Sequence, residues 1–203
     1  MQANYRPALE IAQRALRAAS PHTVAERSGA VLRRGEEGEY LLLKLLNRDY
    51  RVPLPESIVY DVGTGHPAGA STTLVILHYL ATVNGSPIKG EWIPFRSLPG
   101  GNIYEQAFRQ QCFVPLIATF GSSPERFEQA AASLGGVKST MGDRSFVFQA
   151  LPRLPIACVL WLADEEQGAE VNLLYDAVAP HCLPTEDLAA LGRMLTFGLI
   201  KCA

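Results

Sequence analysis

The groups best equipped for acid, base or metal chemistry in this chain are carboxylates. Asp164 opens a run of three acids with Glu165 and Glu166, Asp176 closes an apolar stretch, and Glu186 and Asp187 follow Thr185. Facing one cleft, such groups bind a cation or act as acid and base on a small polar substrate. Taken one by one they have plainer readings: the 164–166 run is a solvated loop, and Thr185 with two acids after it is what a helix start requires. Asp164, Asp176, Glu186 and Asp187 are thus the candidate catalytic residues. A second chemistry lies in Pro99, Gly100 and Gly101, which precede a helical pattern and offer an anion backbone N–H groups and the positive end of a helix dipole, with Arg96 nearby. Trp92 and Tyr104 supply aromatic surface for the flat part of a ligand. The turn lacks both the Lys-Ser/Thr ending of a phosphate loop and the spaced glycines of a dinucleotide fingerprint, so its plainer reading is a strand-to-helix connection. Trp92, Arg96, Gly100, Gly101 and Tyr104 form the candidate cofactor-binding set, and the cofactor itself is not given by the sequence.

Histidine and cysteine point away from a metal site. His22, His66, His78 and His181 share no metal-binding spacing, and His78, between Leu77 and Tyr79, reads as a half-buried, satisfied imidazole on a helix. Cys112, Cys158, Cys182 and Cys202 are too scattered for zinc or an iron-sulfur cluster and read as small apolar groups in a reducing compartment. No Gly-x-Ser-x-Gly elbow is present, which disfavours an orthodox hydrolase. A net charge of −2, with Arg33 and Arg34 close to Glu36 and Glu37, gives no electrostatic drive toward nucleic acid or anionic lipid. The longest apolar runs, 40–46 and 156–163, are far shorter than the roughly 20 residues that span a bilayer. A soluble, cytoplasmic protein without nucleic-acid or membrane partners is expected.

These residues must be positioned by a mixture of helices and strands. With 203 residues, 48% of them hydrophobic, the chain can bury one sizeable core. Apolar residues at helical spacing behind Pro7, then Ser20 and Pro21, predict two helices, so the chain is expected to be one domain with a helical segment over 1–35 and an α+β core over 36–203. Residues 40–46 and 50–54 read as a hairpin around a turn at 47–49, and 57–62 as a short strand. A helix over 72–83, an extended stretch over 88–95 and a helix over 103–120 follow, the last bent or split by Pro115. Ser123 and Pro124 open another helix, closed by Gly135 and Gly136. Strands are expected at 146–148, 156–162 and 171–175, and a last helix after Pro184. The elements lack the regular alternation of a doubly wound fold, so the expected class is α+β, with a mixed, largely antiparallel sheet packed against several helices.

Several stretches together resemble an uncharacterised prokaryotic domain family, domain of unknown function number 3786. They are residues 24–29, 76–80, 90–101 and 179–188, most specifically Gly90-Glu91-Trp92, Leu98-Pro99-Gly100-Gly101 and the run from Leu183 through Pro184, Thr185, Glu186 and Asp187 to Leu188. Some members of that family carry a cysteine-rich iron-sulfur segment ahead of the domain, of the type found in corrinoid proteins, so the resemblance implies redox or corrinoid biochemistry. These 203 residues contain no such cysteine group, and no cluster is carried over. Two functions of different classes are consistent with this reading. One is a binding or accessory module that holds a small-molecule ligand or docks onto a redox or corrinoid protein. The other is an enzyme using the carboxylates, and a bare interaction surface is the third reading.

Overall fold

The computed structural model describes residues 6–36 and 38–203, so Glu37, placed near Arg33 and Arg34 above, lies outside the described residues, as do residues 1–5 of the expected N-terminal helical segment. Two helices, α1 (Arg6–Ala18) and α2 (Pro21–Ser28), lead into a four-stranded meander of β1 (Val31–Gly35), β2 (Gly38–Leu45), β3 (Arg48–Pro53) and β4 (Tyr60–Asp61). Helix α3 (Ala70–Thr82) connects to a short strand, β5 (Trp92–Pro94), and a 3-10 turn at Phe95–Ser97. A long helical stretch follows: α4 (Gly101–Phe108), a π turn (Arg109–Phe113) and α5 (Val114–Phe120). After α6 (Pro124–Ser133) come β6 (Val137–Ser139), β7 (Arg144–Leu151), β8 (Leu154–Trp161) and β9 (Glu170–Asp176), and then α7 (Thr185–Lys201). The second sheet runs β5-β9-β8-β7-β6, and every pairing in both sheets is antiparallel.

The fold is α+β, as the lack of alternation predicts. Two local expectations are corrected. Residues 31–35 are a strand rather than the end of a helical segment, because Gly29, at φ 71, stops α2 in the left-handed region and lets the chain turn to pair Val31 with Leu42. The hairpin turn is Leu46 and Asn47 alone, with Leu45 paired to Arg48 and the Leu46 N–H donating to Ala150 O of the other sheet at 2.9 Å. The helix over 101–120 is interrupted next to Pro115, as expected. The chain opens one π turn ahead of it, in which the Val114 N–H bonds to Arg109 O five residues back, and the ring is accommodated in the widened helix.

Burial follows from the strand pattern. All of β8 except Trp161 is buried, so this central strand reads as a continuous apolar run covered on both faces, and one hydrophobic cluster runs through both sheets and α1 to α7. Two buried polar groups tie the connections to it. The Tyr79 hydroxyl donates to Ser28 O at the end of α2 (2.6 Å) and accepts from the Arg153 N–H between β7 and β8 (3.0 Å). Arg27 and Arg153 place guanidinium groups on the C-terminal carbonyls of α3 and α2, the negative ends of those helices. The Asp176 carboxylate, wholly buried, accepts the N–H groups of Lys89 (3.0 Å), Gly90 (2.6 Å) and Val178 (2.8 Å), fixing the entry to β5 against the end of β9. Tyr79→Phe removes the hydroxyl from a fully buried site and leaves two backbone groups without it, so it is expected to cost about 1–3 kcal/mol, read as a shift of the urea midpoint at unchanged slope.

Candidate functional site

Two of the three stretches singled out most specifically in the sequence, 98–101 and 183–188, are brought face to face. The Thr185 hydroxyl donates to Pro99 O across 2.7 Å, so the start of α7 is bonded to the turn that starts α4. Gly101 is there for packing, since a Cβ on it would collide with the Phe95 carbonyl oxygen, and Gly100 takes φ 72, the left-handed turn that leads into α4. Between the two helices runs a groove of two adjoining hollows that share Tyr104, Thr185 and Glu186. The outer, about 410 Å³, is lined also by Pro99, Gly100 and Leu183; the inner, about 240 Å³, by Ala107, Phe108, Gln111, Ala189 and Arg193.

Phe108, which lines the inner hollow, belongs to an aromatic layer beneath it. Phe108 stacks on Phe95 with centroids 4.0 Å apart and planes 10° from parallel, and Tyr175 leans on both rings. Gly192 of α7 sits directly over this layer: a Cβ would lie 2.6 Å from the Tyr175 hydroxyl and 2.7 Å from the Phe108 ring. That close approach lets Tyr175 donate to Leu188 O at 2.8 Å. At the inner end, half-buried Arg193 donates to the neutral Gln111 Oε1 at 3.2 Å, and neither it nor Glu186 forms an ion pair among the described residues. The Arg193 charge is felt in the core below. Burial pushes the Cys112 thiol up to about 11 and holds the Tyr175 hydroxyl well above its ordinary value, and Arg193 pulls against both shifts.

Of the candidate cofactor set, Gly100 and Tyr104 line the groove. Trp92 lies on β5 opposite Asp176, and Arg96 is exposed on the 3-10 turn, 3.9 Å from Glu105; neither lines it. Of the four candidate acids only Glu186 does. Asp164 accepts the N–H groups of Glu166 (2.9 Å) and Gln167 (2.7 Å) in an exposed loop, and these bonds lower its pKa. Asp176 is held by its three backbone donors, and Asp187 points away from the groove to His78 of α3. Among the described residues no group of three or more His, Cys, Asp or Glu is placed to hold a metal ion. Gln111, Arg193, Ala107 and Ala189 went unread in the sequence. The signal was there in α7, where Glu186, Ala189 and Arg193 are spaced to share one helix face. Hollows of about 420 and 410 Å³ flank the hairpin turn at Asn47, but they contain none of the candidate residues.

Behind the groove wall, His78 Nδ1 lies 2.6 Å from Asp187 Oδ2, and its Nε2 lies 3.4 Å from Ala8 O of α1. Carboxylate and carbonyl both accept, so only the doubly protonated ring satisfies both contacts. The bond to Asp187 raises the His78 pKa and outweighs the opposing effect of burial.

The sequence pattern of a family described as a domain of unknown function (DUF3786) matches residues 20–197. No curated protein and no solved structure matches the chain. The groove and the His78–Asp187 pair fall inside the matched range, and α1 falls outside it.

Because the folded-state pKa of His78 lies above the unfolded value of about 6.5, its contribution to stability is complete below that pH and is lost as pH rises through the folded pKa. Asp187→Asn is expected to cost about 1–3 kcal/mol at pH 5.5 and to flatten the fall in stability toward pH 9, as read from urea midpoints at the two pH values.

Proposed function

The chain belongs to the DUF3786 family, and from that premise we propose that it is a small-molecule-binding module whose ligand seats in the groove between α4 and α7. The observation that supports this reading is the Thr185 to Pro99 bond, by which two of the three stretches that most specifically carry the family resemblance form opposite walls of one concave surface. The composition of that surface suits a ligand: an apolar floor of Ala107, Phe108 and Ala189, an aromatic edge at Tyr104, and a few polar groups, Thr185, Glu186, Gln111 and Arg193, to set orientation. In this reading Gly100 and Tyr104 remain ligand contacts, Arg193 takes the anion-binding role first assigned to Arg96, and Trp92 supports the strand behind them. The redox or corrinoid setting implied by the family resemblance is compatible with the groove and adds no residue to it. Catalysis by the carboxylates is the weaker reading, because Asp164, Asp176 and Asp187 are each engaged elsewhere.

Ala107 is exposed, so Ala107→Trp fills the inner hollow without disturbing the core. Native and denaturing mass spectra of protein purified from cells are expected to differ by a bound ligand in the wild type and to coincide for Ala107→Trp. Equal ligand occupancy in both proteins would place the binding site elsewhere.

A further inference from the structure

Resting on the reading of the groove as a ligand site, we propose that its ligand is a zwitterion: a carboxylate at Arg193, an ammonium at Glu186, and an apolar spacer between them. Glu186, Ala189 and Arg193 line the same inner hollow, and seven residues of helix at about 1.5 Å each set the backbone positions that carry the two charges about 10 Å apart along the axis. Between them the surface is apolar and shallow, because Ala189 of α7 faces Ala107 and Phe108 of α4.

The charges themselves call for opposite partners. Arg193 is half-buried and, among the described residues, is hydrogen-bonded to a neutral amide and to no carboxylate, and a guanidinium gains most from a carboxylate that takes two of its donors. Glu186 stands exposed in the first turn of α7 and forms no ion pair among the described residues, which leaves its carboxylate open to an ammonium. A dianion would be repelled at Glu186 and a dication at Arg193. An α-amino acid, whose two charges sit on neighbouring carbons, reaches only one of them. Two sources share the required chemistry: ω-amino acids and short peptides with free ends.

Isothermal titration of the wild type with 8-aminooctanoate, octanoate, octylamine and leucine tests the assignment, with the tripeptide Ala-Leu-Ala as the peptide arm. A zwitterion with separated charges, 8-aminooctanoate or the tripeptide, is expected to bind at least about tenfold more tightly than the three comparison compounds. Arg193→Gln should remove the advantage over octylamine, and Glu186→Gln, at an exposed position, the advantage over octanoate. The tighter of the two zwitterions identifies the source. Equal affinity for octanoate and both zwitterions, or affinities that neither variant alters, overturns the proposal. Ala107→Trp separates its failure from that of the groove. A cell-derived ligand that Ala107→Trp expels while no zwitterion binds leaves the groove standing and the zwitterion rejected. Zwitterion binding that survives Ala107→Trp rejects both.

Discussion

The close seat of α7 on β9 and α4 is the constraint on which the rest of the molecule depends. Gly192 has no side chain, so the helix backbone comes down onto the Phe108 ring and the Tyr175 hydroxyl, and Tyr175 closes the contact by donating to Leu188 O. That depth fixes the first turn of α7, and with it Thr185, which reaches Pro99, and Asp187, which reaches His78. One surface of the turn thereby forms the groove wall, and the other ties α7 to α3 and α1. A helix seated higher would lose both together, because a hydrogen bond weakens steeply as its geometry opens.

The buried polar groups obey the same economy. Tyr79, Tyr175 and Asp176 are fully enclosed, and each is engaged with backbone at a place where regular structure ends: the end of α2, the first turns of α7, the entry to β5. Enclosure without those partners would leave desolvated donors and acceptors that folding could not tolerate. These side chains act as joints between elements whose apolar faces alone would leave their relative height and rotation loosely set. The assignment of Asp176 shows how the distinction works: a carboxylate that would serve chemistry in a cleft is here consumed by Lys89, Gly90 and Val178.

Much of the scaffold was legible in the residues because local physics decides it. Pro21, Pro124 and the acids after Thr185 mark helix starts, Gly135 and Gly136 follow a helix end, and the unbroken apolar run of β8 announces a covered strand. Residues 31–35 escaped because only β1's partner strand makes them a strand: their exposed Arg33, Arg34 and Gly35 carry no alternation of their own. The site divided in the same way. Gly100, Tyr104 and Glu186 stood out by type and neighbourhood, whereas Gln111 and Arg193 belong to helices whose mutual facing is a tertiary fact. The carboxylates misled for the complementary reason, since sequence lists acids without saying which are already satisfied.

The π turn at 109–113 sets the phase of this arrangement. It accommodates one residue more than an α-helical path would, so the two halves of the 101–120 helix are offset by about 100° from simple continuation. Upstream, Tyr104 and Ala107 look into the groove; downstream, Leu116 and Phe120 look into the core. Loss of a single residue here would remove the π turn, leave the Pro115 ring without the widening that accommodates it, and swing the groove-facing residues about a quarter turn away. For the groove, the spacing between Tyr104 and Pro115 therefore matters as much as the identity of the residues lining it.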